Sequence, residues 1–105
     1  MSAGLRLVLI TAPNARVAHS LARGLIDARL AACVNVVPGV VSHYRWNGTI
    51  HKNHELLLIV KTRAVLLARL SRFVRAQHPA SLPEILALPV AGGDKRYLAW
   101  VGGEC

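Results

Sequence analysis

Val40-Val41-Ser42-His43-Tyr44-Arg45-Trp46-Asn47-Gly48, returning through His54-Glu55-Leu56-Leu57-Leu58-Ile59-Val60-Lys61, is the stretch that decides the fold. Asn47-Gly48 is a strong two-residue hairpin signal, because both residue types tolerate the positive φ that a tight primed turn needs. The outgoing arm begins as early as Cys33 and is interrupted by Pro38-Gly39. Proline lacks a ladder donor, so it fits there only at an edge or a bulge. The second half, Val40 to Trp46, must therefore change direction or overhang the body. On the return, Leu56 to Val60 is apolar at every position, and a strand of that kind wants cover on both faces.

Around the hairpin, Leu5 to Ile10 reads as a buried aliphatic strand. Thr11-Ala12-Pro13-Asn14 is a turn with Asn14 placed as an N-cap. From Ala15 to Arg29, Val17, Ala18, Leu21, Ala22 and Leu25 form an apolar stripe at helical spacing, with Arg16, His19, Arg23 and Asp27 opposite. A second helix over Ala64 to Ala76 buries Leu66, Leu67, Leu70, Phe73 and Val74 and leaves Arg69, Arg72 and Arg75 in water. Pro79, Pro83 and Pro89 frame a last strand, Glu84 to Val90. Tyr97 to Val101 reads as a short closing segment of about one helical turn. Strand, helix, strand, strand, helix, strand is the ferredoxin-like order. It predicts an α+β domain over residues 1–105, a four-stranded antiparallel sheet with two helices on one face.

The composition points to burial beyond one chain. Hydrophobic residues are 53% of the sequence but aromatics only 5%, so the surplus is aliphatic. A chain of 105 residues has limited interior, which places part of that surface between subunits. The formal net charge is +8, with Asp27, Glu55, Glu84, Asp94 and Glu104 the only acids. A field of that sign attracts anions and repels metal cations. Cys33 lies in an apolar run and Cys105 ends the chain, so no disulfide framework or zinc knuckle is indicated. The apolar run Leu7–Ile10 is too short for a signal-peptide core or a bilayer span. The expectation is a soluble cytoplasmic protein.

Several motifs in order resemble one family. Thr11-Ala12-Pro13, Leu30-Ala31-Ala32-Cys33-Val34-Asn35, Pro38-Gly39, Ser42-x-Tyr44-x-Trp46-x-Gly48 and Glu55 through Lys61-Thr62 are followed by His78-Pro79, Pro83-Glu84-Ile85, Leu88-Pro89-Val90, Gly93-Asp94 and Tyr97-Leu98-x-Trp100. Together they resemble the CutA family of divalent-cation-tolerance proteins over nearly the whole chain. The resemblance implies a tight homotrimer with interlocked hairpins and a role in the response to divalent metal ions, copper above all, held weakly here. In some members the His-Pro motif contributes copper ligands beside a second His and a Cys before Thr-Ala-Pro. This chain has Gln77 and Ile10 at those places, so His78 is the one candidate metal ligand, and a lone imidazole makes a poor copper or zinc site.

Other chemistry is poorly represented. Ser42, Ser71 and Ser81 sit in no nucleophile-elbow context, Cys33 carries no signature of activation, and no phosphate-cradling glycine loop is present. A catalyst is not expected. His51 and His54 lie three apart on an extended arm, which points them to opposite faces. Tyr44, Trp46, Glu55, Lys61, Glu84, Tyr97 and Trp100 are the shared positions that packing explains least, and they are read as a ligand cleft at a subunit boundary. Lys61 ends an apolar strand and needs a partner, for which Glu55 and Glu84 are the candidates. Such a cleft suits a small anionic ligand, as in trimeric signalling proteins of the PII type, although their mobile effector loop is lacking. The alternative is a purely structural trimer in which these groups are interface packing. The arginines fall on wet helix faces away from the aromatics, so specific nucleic-acid recognition is not expected and salt-sensitive nonspecific binding is.

Overall fold

The computed structural model describes residues 4–105. Four antiparallel strands form one sheet in the order β2-β3-β1-β4. β1 (Leu5–Ala12) and β3 (Thr49–Arg63) are the inner strands, and β2 (Cys33–Trp46) and β4 (Ile85–Pro89) the edges. Helices α1 (Ala15–Asp27) and α2 (Leu67–Gln77) occupy the two crossovers, which gives the ferredoxin-like α+β arrangement read from the sequence.

Alternation decides which side each strand residue faces. Val8, Ile10, Leu58 and Val60 have no exposed surface and meet Leu21, Leu25, Leu70 and Val74 of the helices in a single core. Thr62 is the one buried polar residue among the described residues, and its Oγ1 donates to the Leu30 carbonyl at 2.7 Å. The helices pack closely where Gly24 meets Phe73. A Cβ on residue 24 would lie 2.6 Å from the Phe73 ring, so only glycine fits without displacing it.

Asn14 caps α1 as its type predicts, its Oδ1 accepting from Val17 N–H at 2.9 Å. The helix ends at Asp27, two residues before the predicted Arg29, which takes a left-handed φ of 55°. At the other crossover, Ala64–Leu66 is a 3₁₀ turn, and the α-helix begins only at Leu67. The last strand starts at Ile85 rather than Glu84.

The hairpin turns at Asn47 (φ 51°) and Gly48 (φ 76°), both left-handed as a primed turn requires. β2 and β3 pair from Cys33↔Lys61 to Trp46↔Thr49, with a bulge between Val37 and Val40 where Pro38-Gly39 interrupts the ladder. β1 ends opposite Leu56, so the arm beyond it overhangs the body, and the molecule is 44 Å long but only 25 × 24 Å across.

The chain closes differently from the one-turn expectation. α3 spans Lys95–Glu104, ten residues, and its N-cap Asp94 accepts from Arg96 and Tyr97 N–H. This third helix lies on the sheet face opposite α1 and α2. There Tyr97, Leu98 and Val101 meet Leu5, Leu7 and Lys61. The remaining rows of that face, Leu9–Ile59–Asn35 with Leu86 and Thr11–Leu57–Val37, have no helix above them. Leu86 is 56% exposed and Leu88 43%.

Candidate functional site

Two depressions lie along this open face, one at each end. The larger, ≈ 620 Å³, sits where the overhanging hairpin passes the loop between α2 and β4. Tyr44, Trp46 and Glu55 line it from the arm, and His78, Pro83 and Glu84 from the loop. Tyr44, Trp46 and Glu55 share a side because the bulge at Pro38-Gly39 shifts the phase of β2 by one residue. Val40 is thereby placed opposite Glu55, and Tyr44 opposite His51. The Tyr44 and His51 rings stack with centroids 5.3 Å apart, and Asn53 Nδ2 donates to the Tyr44 hydroxyl.

His78 holds the loop in place. Ala80 N–H donates to its Nδ1 at 3.0 Å, which leaves the proton on Nε2 for donation to the Thr11 carbonyl at 2.7 Å. Both ring nitrogens are therefore engaged inside the chain, and a metal would have to displace one of these bonds. No group of three or more His, Cys, Asp or Glu residues close enough to share a metal ion occurs among the described residues. The single chain does not fit the donor set of a copper or zinc centre.

The smaller depression, ≈ 190 Å³, lies under α3 and presents an almost wholly apolar surface, with Arg6, Lys61 and Tyr97 the polar side chains among its lining. Lys61 Nζ donates to Asn35 Oδ1 and lies 3.7 Å from the Cys33 thiol. Tyr97 is held above the usual phenol range by desolvation first and by the adjacent Cys33 second, so it stays neutral at physiological pH. Its ring leans on Trp100, centroids 5.7 Å apart.

Of the seven residues read as one cleft, the structure thus brings together Tyr44, Trp46, Glu55 and Glu84. It sets Lys61, Tyr97 and Trp100 at the far end. Lys61 and Glu55 are six residues apart on one strand, about 20 Å, so the expected ion pair does not form within the chain. Asn35, diagonal to it on β2 two residues beyond its register partner Cys33, takes its place, a partner that sequence spacing could not reveal. The only side-chain ion pair among the described residues is Arg23 to Asp27, on the helical surface.

Residues 6–104 match the family described as CutA1 divalent ion tolerance protein. The divalent-cation tolerance protein CutA of Thermus thermophilus is 50% identical over 95 residues, which cover 90% of this chain and 92% of that protein. A CutA homolog of Xenopus laevis is 42% identical over 102 residues, covering 97% and 68%. Among solved structures, the Thermus thermophilus Cut A1 protein superposes with a TM-score of 0.94 at 47% identity, covering 95% of this chain and 97% of that one. A protein described as the periplasmic divalent cation tolerance protein CutA of Archaeoglobus fulgidus gives 0.92 at 36%, covering 95% and 97%.

Proposed function

We propose, for a chain that belongs to the CutA1 divalent ion tolerance family, a role as a homotrimeric binding module in the response to divalent cations rather than as a catalyst. The observation that carries this reading is the open sheet face. It is apolar, bare between two depressions, and flanked by two edge strands with unpaired backbone groups. Packing three such faces together covers Leu86, Leu88 and Ile59, and the overhanging arms of one chain then clasp the next. Between chains, Lys61 can meet a Glu55 or Glu84 carboxylate that lies out of its reach within one.

In this reading the ligand cleft forms at subunit boundaries from Tyr44, Trp46, Glu55 and Glu84 of one chain with Lys61, Tyr97 and Trp100 of another. Copper is a weak ligand of this member at best. His78 has no free ring nitrogen, Gln77 and Ile10 supply no ligand, and +8 per chain repels cations. A cytoplasmic setting agrees with the two unpaired cysteines. No helix among the described residues is long and apolar enough to cross a membrane.

A second reading, an anion-binding signalling trimer of the PII kind, is favoured by Lys61, a cation set in the middle of the open face opposite Leu7 and Cys33. Isothermal titration of the purified protein with copper, zinc and ATP separates the two. We expect no metal site of submicromolar affinity. A stoichiometric copper site lost in His78→Ala would overturn the weak-metal reading, and saturable ATP binding lost in Lys61→Met would favour the signalling one.

A further inference from the structure

The outward side of the molecule differs in kind from the open sheet face. Arg16 and Arg23 on α1 and Arg69, Arg72 and Arg75 on α2 are all exposed. α2 contains no acid, and Asp27, the single acid of α1, is already held by Arg23 at 3.1 Å. Four arginines are left without an ion-pair partner among the described residues. The contact of Gly24 with Phe73 draws the two helices together, so their arginines share one surface.

From this layer we propose that the α1–α2 face is a docking surface for the phosphate backbone of double-stranded nucleic acid, bound without sequence preference. It is a separate surface from the proposed cleft and does not depend on it. Arg16 and Arg23 are two helical turns apart, about 10 Å, and Arg69, Arg72 and Arg75 step along α2 at about 4.5 Å each. The patch is therefore roughly as wide as one groove of B-DNA, whose bordering phosphates it would meet. The basic groups are arginines, whose planar fork matches phosphate oxygens two at a time.

What the face lacks also selects the partner. The exposed rings Tyr44, Trp46, Tyr97 and Trp100 are on the hairpin and α3, away from these arginines. A single-strand binder stacks bases on aromatics interleaved with its basic groups. A membrane-surface helix likewise sets aromatic and aliphatic side chains opposite its basic ones for insertion, whereas the apolar stripes of α1 and α2 are spent on the core. Nothing on the face can read base edges except by length of side chain, so sequence selectivity is not expected.

The test is fluorescence anisotropy of the intact protein with two labelled duplexes of unrelated sequence, repeated over a range of salt concentrations. We expect equal affinity for both and a steep loss of affinity with salt. The triple variant Arg69→Gln, Arg72→Gln, Arg75→Gln keeps good helix formers at exposed positions. It should bind about tenfold or more weakly and lower the salt slope by roughly two to three. A charge-matched variant elsewhere, Arg45→Gln, Lys52→Gln, Lys95→Gln, should bind nearly as the unaltered protein does. The proposal is overturned by undetectable duplex binding at low salt, by equal losses in the two variants, or by tighter binding to phosphatidylserine vesicles or single strands than to duplex.

Discussion

Leu58 and Ile59 are neighbours on one strand, yet they belong to two different proteins in physical terms. Leu58 faces the helices and has no exposed surface, enclosed by side chains of its own chain. Ile59 faces the other way, in a row with Leu9 and the 56%-exposed Leu86, and no helix among the described residues covers that row. The covered face satisfies every requirement of a core, including a hydroxyl that seals the Leu30 carbonyl. On the open face the same aliphatic chemistry is left unfinished. A single chain explains the first half of its own hydrophobic content and not the second, and this difference is what argues for assembly.

The comparison is most easily broken on the covered side. Leu58→Ala should cost about 2–5 kcal/mol, because a fully enclosed site collapses only partly around the cavity. Thermal unfolding should show a large drop in midpoint, and a loss below about 1 kcal/mol would mean the face is less tightly packed than its burial indicates. On the open side, Leu86→Arg should act on association and leave the chain's own fold in place. Far-UV circular dichroism should stay near that of the unaltered protein while the particle mass falls to that of one chain. A misfolded Leu86→Arg would show that the open face already supports the monomer, and an unchanged mass that Leu86 is outside any interface.

Much of this contrast could be read from the sequence because it depends on local pattern. Asn47-Gly48 announced its turn through the φ both residues adopt, and Pro38-Gly39 announced the bulge because proline cannot donate into a ladder. The unbroken apolar run Leu56–Val60 marked a strand needing two covers before any neighbour was known. α3 was underestimated at both ends. The expectation covered only Tyr97 to Val101, whereas Asp94 caps a helix that begins at Lys95 and continues through Gly102 and Gly103, residues of low helix propensity, to Glu104.

The site was less legible than the fold. Tyr44, Trp46 and Glu55 fall on one side only because the bulge changes the phase of β2, and counting residues by twos from Cys33 gives the wrong face. Lys61 looked in want of a carboxylate, since charge at the end of an apolar strand invites that pairing. Its observed partner, Asn35, is set by the register between β2 and β3, a tertiary fact. His78 was named only as the one candidate ligand left from the His-Pro resemblance, and its two ring nitrogens serve a loop and a strand end. Residue type narrowed the candidates, and strand register decided what each one does.

The claim beneath all of this is that the open face is an interface in waiting, and the particle mass in solution tests it most directly. Light scattering coupled to size exclusion at low micromolar concentration should give three times the 11.3 kDa chain mass. A particle of a single chain mass would contradict the account, and with it the subunit-boundary cleft.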